Sequence, residues 1–240
     1  MNTDRIDFIS AYCDAWCERC GFTTRCSHYA VKVATEMCDG DFSAAIELAV
    51  GTPQPVDGER EETIGQKLLE ELQNLTVSPN EIAEYERYAK ARDARLAAHP
   101  ITRMTRTYTD RAIGWLKDHR ERLESGDDPV LREALEIVSW DAYLIGAKLH
   151  RALSGRDEAA HGQPGDDHPI QNDWNGSAKV TLISLRRSAS GWQTIFGATA
   201  DPAASILADG AEHLRRTVEA DFPNAMSFVR PGFDERLADC

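Results

Sequence analysis

The sequence predicts an all-α protein: a bundle of five or six main helices with a small cysteine-bearing helical segment at its N-terminus. Three observations carry that expectation. Apolar residues recur at three- and four-residue steps over most of the chain beyond residue 60. Helix punctuation such as Ser78-Pro79-Asn80-Glu81, Asp128-Pro129 and Asp201-Pro202 falls between these tracts. Finally, KVTLISL at 179–185 tempts a strand reading but belongs to a longer stripe. Ala178, Leu182, Leu185, Ala189, Trp192 and Phe196 advance by three or four, and no partner strand exists for it.

Taken in order, residues 4–20 read as a short helix carrying Ile6, Phe8, Ile9, Tyr12 and Trp16. Residues 27–38 form another, stopped by Asp39-Gly40, and 42–50 a third. GTPQPVDGER at 51–60 is a turn-rich link and the best domain boundary. It separates a cysteine-cluster segment, 1–50, from a helical bundle, 61–240.

Within the bundle, Ile64, Leu68, Leu72 and Leu75 mark a helix over 61–75. A charged helix spans 79–98 and ends at His99-Pro100. Residues 101–123 follow, with Met104, Tyr108, Ala112, Trp115 and Leu116 on one side. A helix over 129–154 precedes a polar, glycine-rich stretch, 155–172, expected to be a mobile loop. Helices 176–197 and 202–220 complete the array. From Phe222 the chain is irregular, with a short helix near 233–238.

The chain has 240 residues, 42% of them hydrophobic, enough for a substantial core. No apolar run approaches the ~20 residues of a membrane span. A net charge of −13 opposes nucleic-acid binding, because the phosphate backbone would be repelled. MNTDRIDFIS carries Asp4 and Asp7 where a signal peptide needs an apolar core. A cytoplasmic protein with a small-molecule or protein partner is expected.

Four of the six cysteines, Cys13, Cys17, Cys20 and Cys26, crowd into YCDAWCERCGFTTRC. The spacing C-x3-C-x2-C-x5-C points to a metal ion or an iron–sulfur cluster held by thiolates. In one regular helix Cys13 and Cys20 would stand ~10 Å apart along the axis. Tetrahedral zinc needs its sulfurs only ~3.8 Å apart. Either the helix breaks near Trp16, or a wider object such as a multi-iron cluster is bound. Gly21 ends the helix in both cases and lets Cys26 close the site. His28 and Cys38 flank it as substitute ligands. Disulfides and ordinary buried thiols are the competing readings, the first opposed by a reducing cytoplasm. The triplet C-x3-C-x2-C also matches radical S-adenosylmethionine enzymes, but their barrel of alternating strands and helices is absent from the pattern.

Helices 129–154 and 176–197 are apolar on most sides and should form the middle of the protein. Their polar residues therefore need partners. Glu136, His150 and Asp173 are candidate catalytic groups, and Lys148, Arg151, Lys179 and Arg187 candidate ligand-binding groups. A salt-bridge network locking the two helices is the equal alternative. A di-iron carboxylate site lacks its Glu-x-x-His pairs, and Glu136 and His150 lie about four turns apart. The loop HGQPGDDH, with His161, Asp166, Asp167 and His168, reads as solvated rather than cation-binding. Phosphate-binding, dinucleotide-binding, zinc-protease and hydrolase nucleophile motifs are absent.

WCERCGFTTRC, LHRAL at 149–153 and NGSAKVTLISLRRS at 175–188 resemble an uncharacterised family of bacterial all-helical proteins with an N-terminal cysteine cluster. Members of that family carry proline where Gly21 stands and an acidic residue near Arg186. The resemblance implies one common design joining the cysteine segment to the two central helices, and no activity. The leading expectation is a metal-binding protein, with an iron–sulfur cluster or zinc and a redox or sensing role. A helical enzyme binding a small anion in its polar core is the second, and an interaction module with structural zinc the third.

Overall fold

The computed structural model describes residues 6, 12–50, 78–161 and 168–234. Among them are seven α-helices and no strand, so the protein is all-α as expected. These are α1 (Ser27–Met37), α2 (Phe42–Val50), α3 (Pro79–Ala98), α4 (Pro100–Glu124), α5 (Pro129–His161), α6 (Asp173–Thr199) and α7 (Pro202–Asp221). The link at 51–60 and the helix expected over 61–75 lie outside the described residues, as does most of HGQPGDDH. The short helix expected near 233–238 has turn geometry at Phe233 and Asp234, and its remainder lies outside them too.

Helix boundaries follow local chemistry. Ser78 and Glu81 form a reciprocal box at the start of α3, Ser78 N–H donating to Glu81 Oε2 and Glu81 N–H to Ser78 Oγ. Asp128 caps α5, Asn172 caps α6 and Asp201 caps α7, each accepting a first-turn amide. Pro100 and Pro202 occupy first-turn positions of α4 and α7, where a missing N–H costs nothing.

The chain divides into two compact units, Met1–Asp7 with Trp16–Ala91 and Phe8–Ala15 with Arg92–Cys240. In the first unit α1 packs on α2, with Ala34 and Ala45 buried. Ile6 lies in a single parallel bridge with Cys26, its N–H donating to Arg25 O at 2.9 Å. The expected helix over 4–20 is therefore corrected for its described part. Tyr12 is in a turn, residues 13–16 are irregular, and Cys17–Arg19 is a 3-10 turn. Ala15 has φ 57°, a left-handed conformation that no α-helix contains. Ile6, Tyr12 and Trp16 are buried all the same. Their spacing mimicked a helical stripe, but each meets its own partners.

The second unit is built on α4 to α7. α6 packs along both α5 and α7, and α4 packs against α5 and α7 in turn. Trp192 of α6 is fully buried and meets Trp115 of α4 edge-on, with ring centres 5.0 Å apart. Every residue from Asn175 to Leu182 is buried, as a central helix requires. Helix and not strand is the correct reading of KVTLISL. α5 departs from expectation, because Tyr143, Ala147 and His150 opposite its main stripe are exposed. α5 also runs seven residues past the expected end, into the stretch assigned to a loop. There Arg156 pairs with Asp221 (2.7 Å), Asp157 with Arg95 (2.7 Å) and Glu158 with Arg92 (2.8 Å). What reads as solvated polarity is ion pairing to α7 and α3.

Candidate functional site

The first unit presents three cysteines on consecutive tight turns. Cys17 opens one 3-10 turn, Cys20 follows it in extended conformation, and a second turn, Thr23–Arg25, delivers Cys26 to the start of α1. Backbone amides point at two of the sulfurs. Phe22 N–H donates to Cys20 Sγ at 3.4 Å, and Tyr29 N–H to Cys26 Sγ at 3.3 Å, so Cys26 also caps α1. Burial pushes the Cys17 thiol up, Lys32 opposes this, and Cys26, Glu18 and Cys20 push it further up. Lys32 is itself shared with Glu18 at 3.5 Å.

All three are free thiols, as are Cys13 and Cys38. Cys13 belongs to the second unit, where its Sγ accepts the Ala15 amide at 3.2 Å. Among the described residues no three His, Cys, Asp or Glu side chains are gathered closely enough to enclose a metal ion. His28 is exposed and Cys38 half-buried. Cys17 and Cys20 stand on and beside a 3-10 turn, not on one regular helix with Cys13.

In the second unit Asp141, Arg151, Asp173, Lys179 and Arg187 of α5 and α6 are taken up in ion pairs. Asp141 is completely buried and accepts two bonds from Arg187, whose Nε lies 3.1 Å from Oδ2. Arg187 Nη1 also donates to Asp14 Oδ2 at 3.0 Å, and Trp140 Nε1 donates to Asp14 O at 3.1 Å. Residues 12–15 are thereby tied to α5 and α6. Burial pushes the Asp141 carboxyl up to about 6, against the pull of Arg187, and Asp14 adds to the rise. Burial lowers the Lys148 ammonium pKa, while Cys13 and Asp14 oppose the change and Arg151 reinforces it.

Lys179 Nζ donates to Phe228 O and Asp234 Oδ2, both at 2.6 Å, and Arg230 clamps the same carboxylate at 2.8 Å. Although burial works the other way, Arg230 and Lys179 hold the Asp234 carboxyl down at about 2. Arg151 pairs with Asp173 at 2.9 Å on the surface. Of the candidate catalytic groups, Glu136 is half-buried, while His150 and Asp173 are exposed. Glu136 and His150 are fourteen residues apart on α5, ~21 Å along its axis, and do not converge.

Sequence reasoning missed two features. Asp14 sat among the cysteines and drew no notice, although its Asp side chain completes the Arg187 network. Tyr108 OH pairs with Ser188 Oγ at 2.6 Å and accepts from Trp192 Nε1 at 3.1 Å. Burial pushes that phenol up to about 12, against both bonds. Only the presence of Tyr108 and Trp192 on apolar stripes hinted at it. Among the described residues no helix is long and apolar enough to cross a membrane. No protein-family model, curated protein or solved structure matches the chain.

Proposed function

We propose that the protein is a metal-binding helical protein whose first unit holds a thiolate-bound metal at Cys17, Cys20 and Cys26. Zinc is the metal the local geometry favours over an iron–sulfur cluster. One observation carries the reading: a C-x2-C-G sequence on a 3-10 turn, with amides aimed at the sulfurs of Cys20 and Cys26. Tight turns of this kind suit the short sulfur separations of tetrahedral zinc, and N–H donors to sulfur tune and orient metal-bound thiolates.

Because the sulfurs are not gathered in the described arrangement, metal binding has to draw the loop closed. A metal supplies charge neutralisation there. Burial, and after it Cys26, Glu18 and Cys20, raise the cost of ionising Cys17, and a divalent cation bound there offsets that cost while releasing protons. The role is stabilisation of the small unit, since Cys26 begins α1 and bridges Ile6.

The test compares Cys17→Ser, Cys20→Ser and Cys26→Ser with Cys38→Ser, all purified without chelator. The first three should lose bound metal and unfold at lower temperature, with chelator changing them no further. Cys38→Ser should keep its metal. Full metal retention in the first three variants contradicts the proposal.

A further inference from the structure

The groove between α4 and α7 lies in the second unit, away from the cysteine turns in sequence and independent of the metal reading. The two helices run antiparallel. Trp115 Nε1 donates to Asp201 at one end, while Gly210 faces the Tyr108 ring further along. Gly210 has no side chain, and an added Cβ would stand 3.7 Å from Tyr108 Cδ2. The helices leave a groove of about 420 Å³ there. That volume falls within the ~300–1,000 Å³ of small-molecule sites.

The floor is apolar: Met104, Leu207 and Leu214 line it, and Ile206 on its edge is 59% exposed. The charge on its walls is of one sign. Arg103 and Arg111 line the groove, and no Asp or Glu does, in a chain with 40 acidic against 27 basic residues. Among the described residues neither guanidinium has an ion pair or a side-chain hydrogen bond, whereas most arginines of this unit are paired. An apolar floor flanked by uncommitted guanidiniums matches a ligand with an apolar body and an anionic head. Arg103 and Arg111 stand eight residues apart on one face of α4, ~12 Å along the axis. That is about the length of a ten-carbon chain.

We propose that this groove binds an amphipathic organic anion, a medium-chain carboxylate or its equivalent, with the chain on Met104, Ile206 and Leu207 and the head group on Arg103 or Arg111. Anilinonaphthalene sulfonate, itself an apolar anion, is the reporter, and decanoate and the uncharged decanol are the competitors. Gly210→Leu fills the groove without leaving the helical conformation. Arg103→Gln/Arg111→Gln removes both charges at exposed positions, and thermal unfolding confirms that both variants are folded.

The dye should fluoresce on binding the full chain and be displaced by decanoate. Gly210→Leu should abolish both effects. The double glutamine variant should bind decanoate about tenfold or more weakly, with decanol affinity changed by less than about twofold. Absence of dye and decanoate binding to the unsubstituted protein overturns the proposal, as does unchanged binding by Gly210→Leu. Equal weakening of decanoate and decanol by the arginine changes overturns the assignment to an anion.

Discussion

Replacing Arg187 by methionine removes the cation from a completely buried carboxylate, Asp141. Asp141 is 0% exposed and Arg187 27% exposed, so the pair is desolvated mainly on the acid side. The variant loses two bonds to Asp141 and one to Asp14. Breaking a buried pair costs ~3–5 kcal/mol, and the partial exposure of Arg187 places this one near ~3 kcal/mol. The penalty depends on pH in a definite direction. The folded Asp141 pKa, about 6, already lies above the ordinary value for aspartate. A group raised in this way contributes stability below its unfolded pKa of ~3.9, and that stability is lost as pH rises through the folded pKa. Removing Arg187 raises the folded value further and steepens the loss. Urea unfolding followed by circular dichroism should therefore show the ~3 kcal/mol penalty at pH 7.5 and less than half of it, roughly 1 kcal/mol, at pH 4.5. The double variant Asp141→Leu/Arg187→Met should recover most of the loss, because the fully buried charge is gone and only the partly exposed Asp14 loses a partner. A single variant within ~0.5 kcal/mol of the unsubstituted protein at pH 7.5, or a double variant no better than the single, refutes the reasoning.

Two further outcomes follow from the same packing. At Gly191 a Cβ would stand 2.8 Å from Val138 Cγ1, so Gly191→Ala should destabilise by ~1–3 kcal/mol, whereas Gly197→Ala, with nothing within 4 Å, should stabilise by ~0.5–1 kcal/mol; thermal unfolding distinguishes them. Arg230 and Lys179 depress the folded Asp234 pKa to about 2, so its contribution is present above the unfolded value of ~3.9 and is lost as pH falls through the folded one. An acid titration of stability should show Asp234→Asn flatter than the unsubstituted protein between about pH 4 and pH 2, and identical slopes there would contradict the assignment.

Elements with strong local signals were readable from sequence. α2 and α3 have the expected bounds, 42–50 and 79–98, because Asp41, Ser78 and Glu81 supply caps that work within a few residues. The long stripe through Trp192 identified α6 where a seven-residue window suggested a strand. The errors arose where distant partners decided the outcome. Arg156, Asp157 and Glu158 look like a solvated loop until Asp221, Arg95 and Arg92 are in place. Ile6, Tyr12 and Trp16 carry helical spacing, yet Ile6 bridges Cys26 and Tyr12 packs against Phe228 at 5.9 Å. His150 and Asp173 are exposed, whereas Lys179 and Arg187 were correctly marked as needing partners. Their partners were not readable, because Asp14 and Asp234 lie more than fifty residues away along the chain. The groove arginines were passed over, since Arg103 and Arg111 on a charged helix resemble any solvated face.

The proposed thiolate metal site is tested most directly by the composition of the unsubstituted protein itself. Purified anaerobically and without chelator, it should carry about one zinc per chain and no acid-labile sulfide. Removal of that zinc should lower the unfolding temperature, and one equivalent added back should restore it. Iron with roughly equal sulfide would replace zinc by a cluster at the same cysteines. A protein free of metal, whose stability added zinc leaves unchanged, would contradict the account.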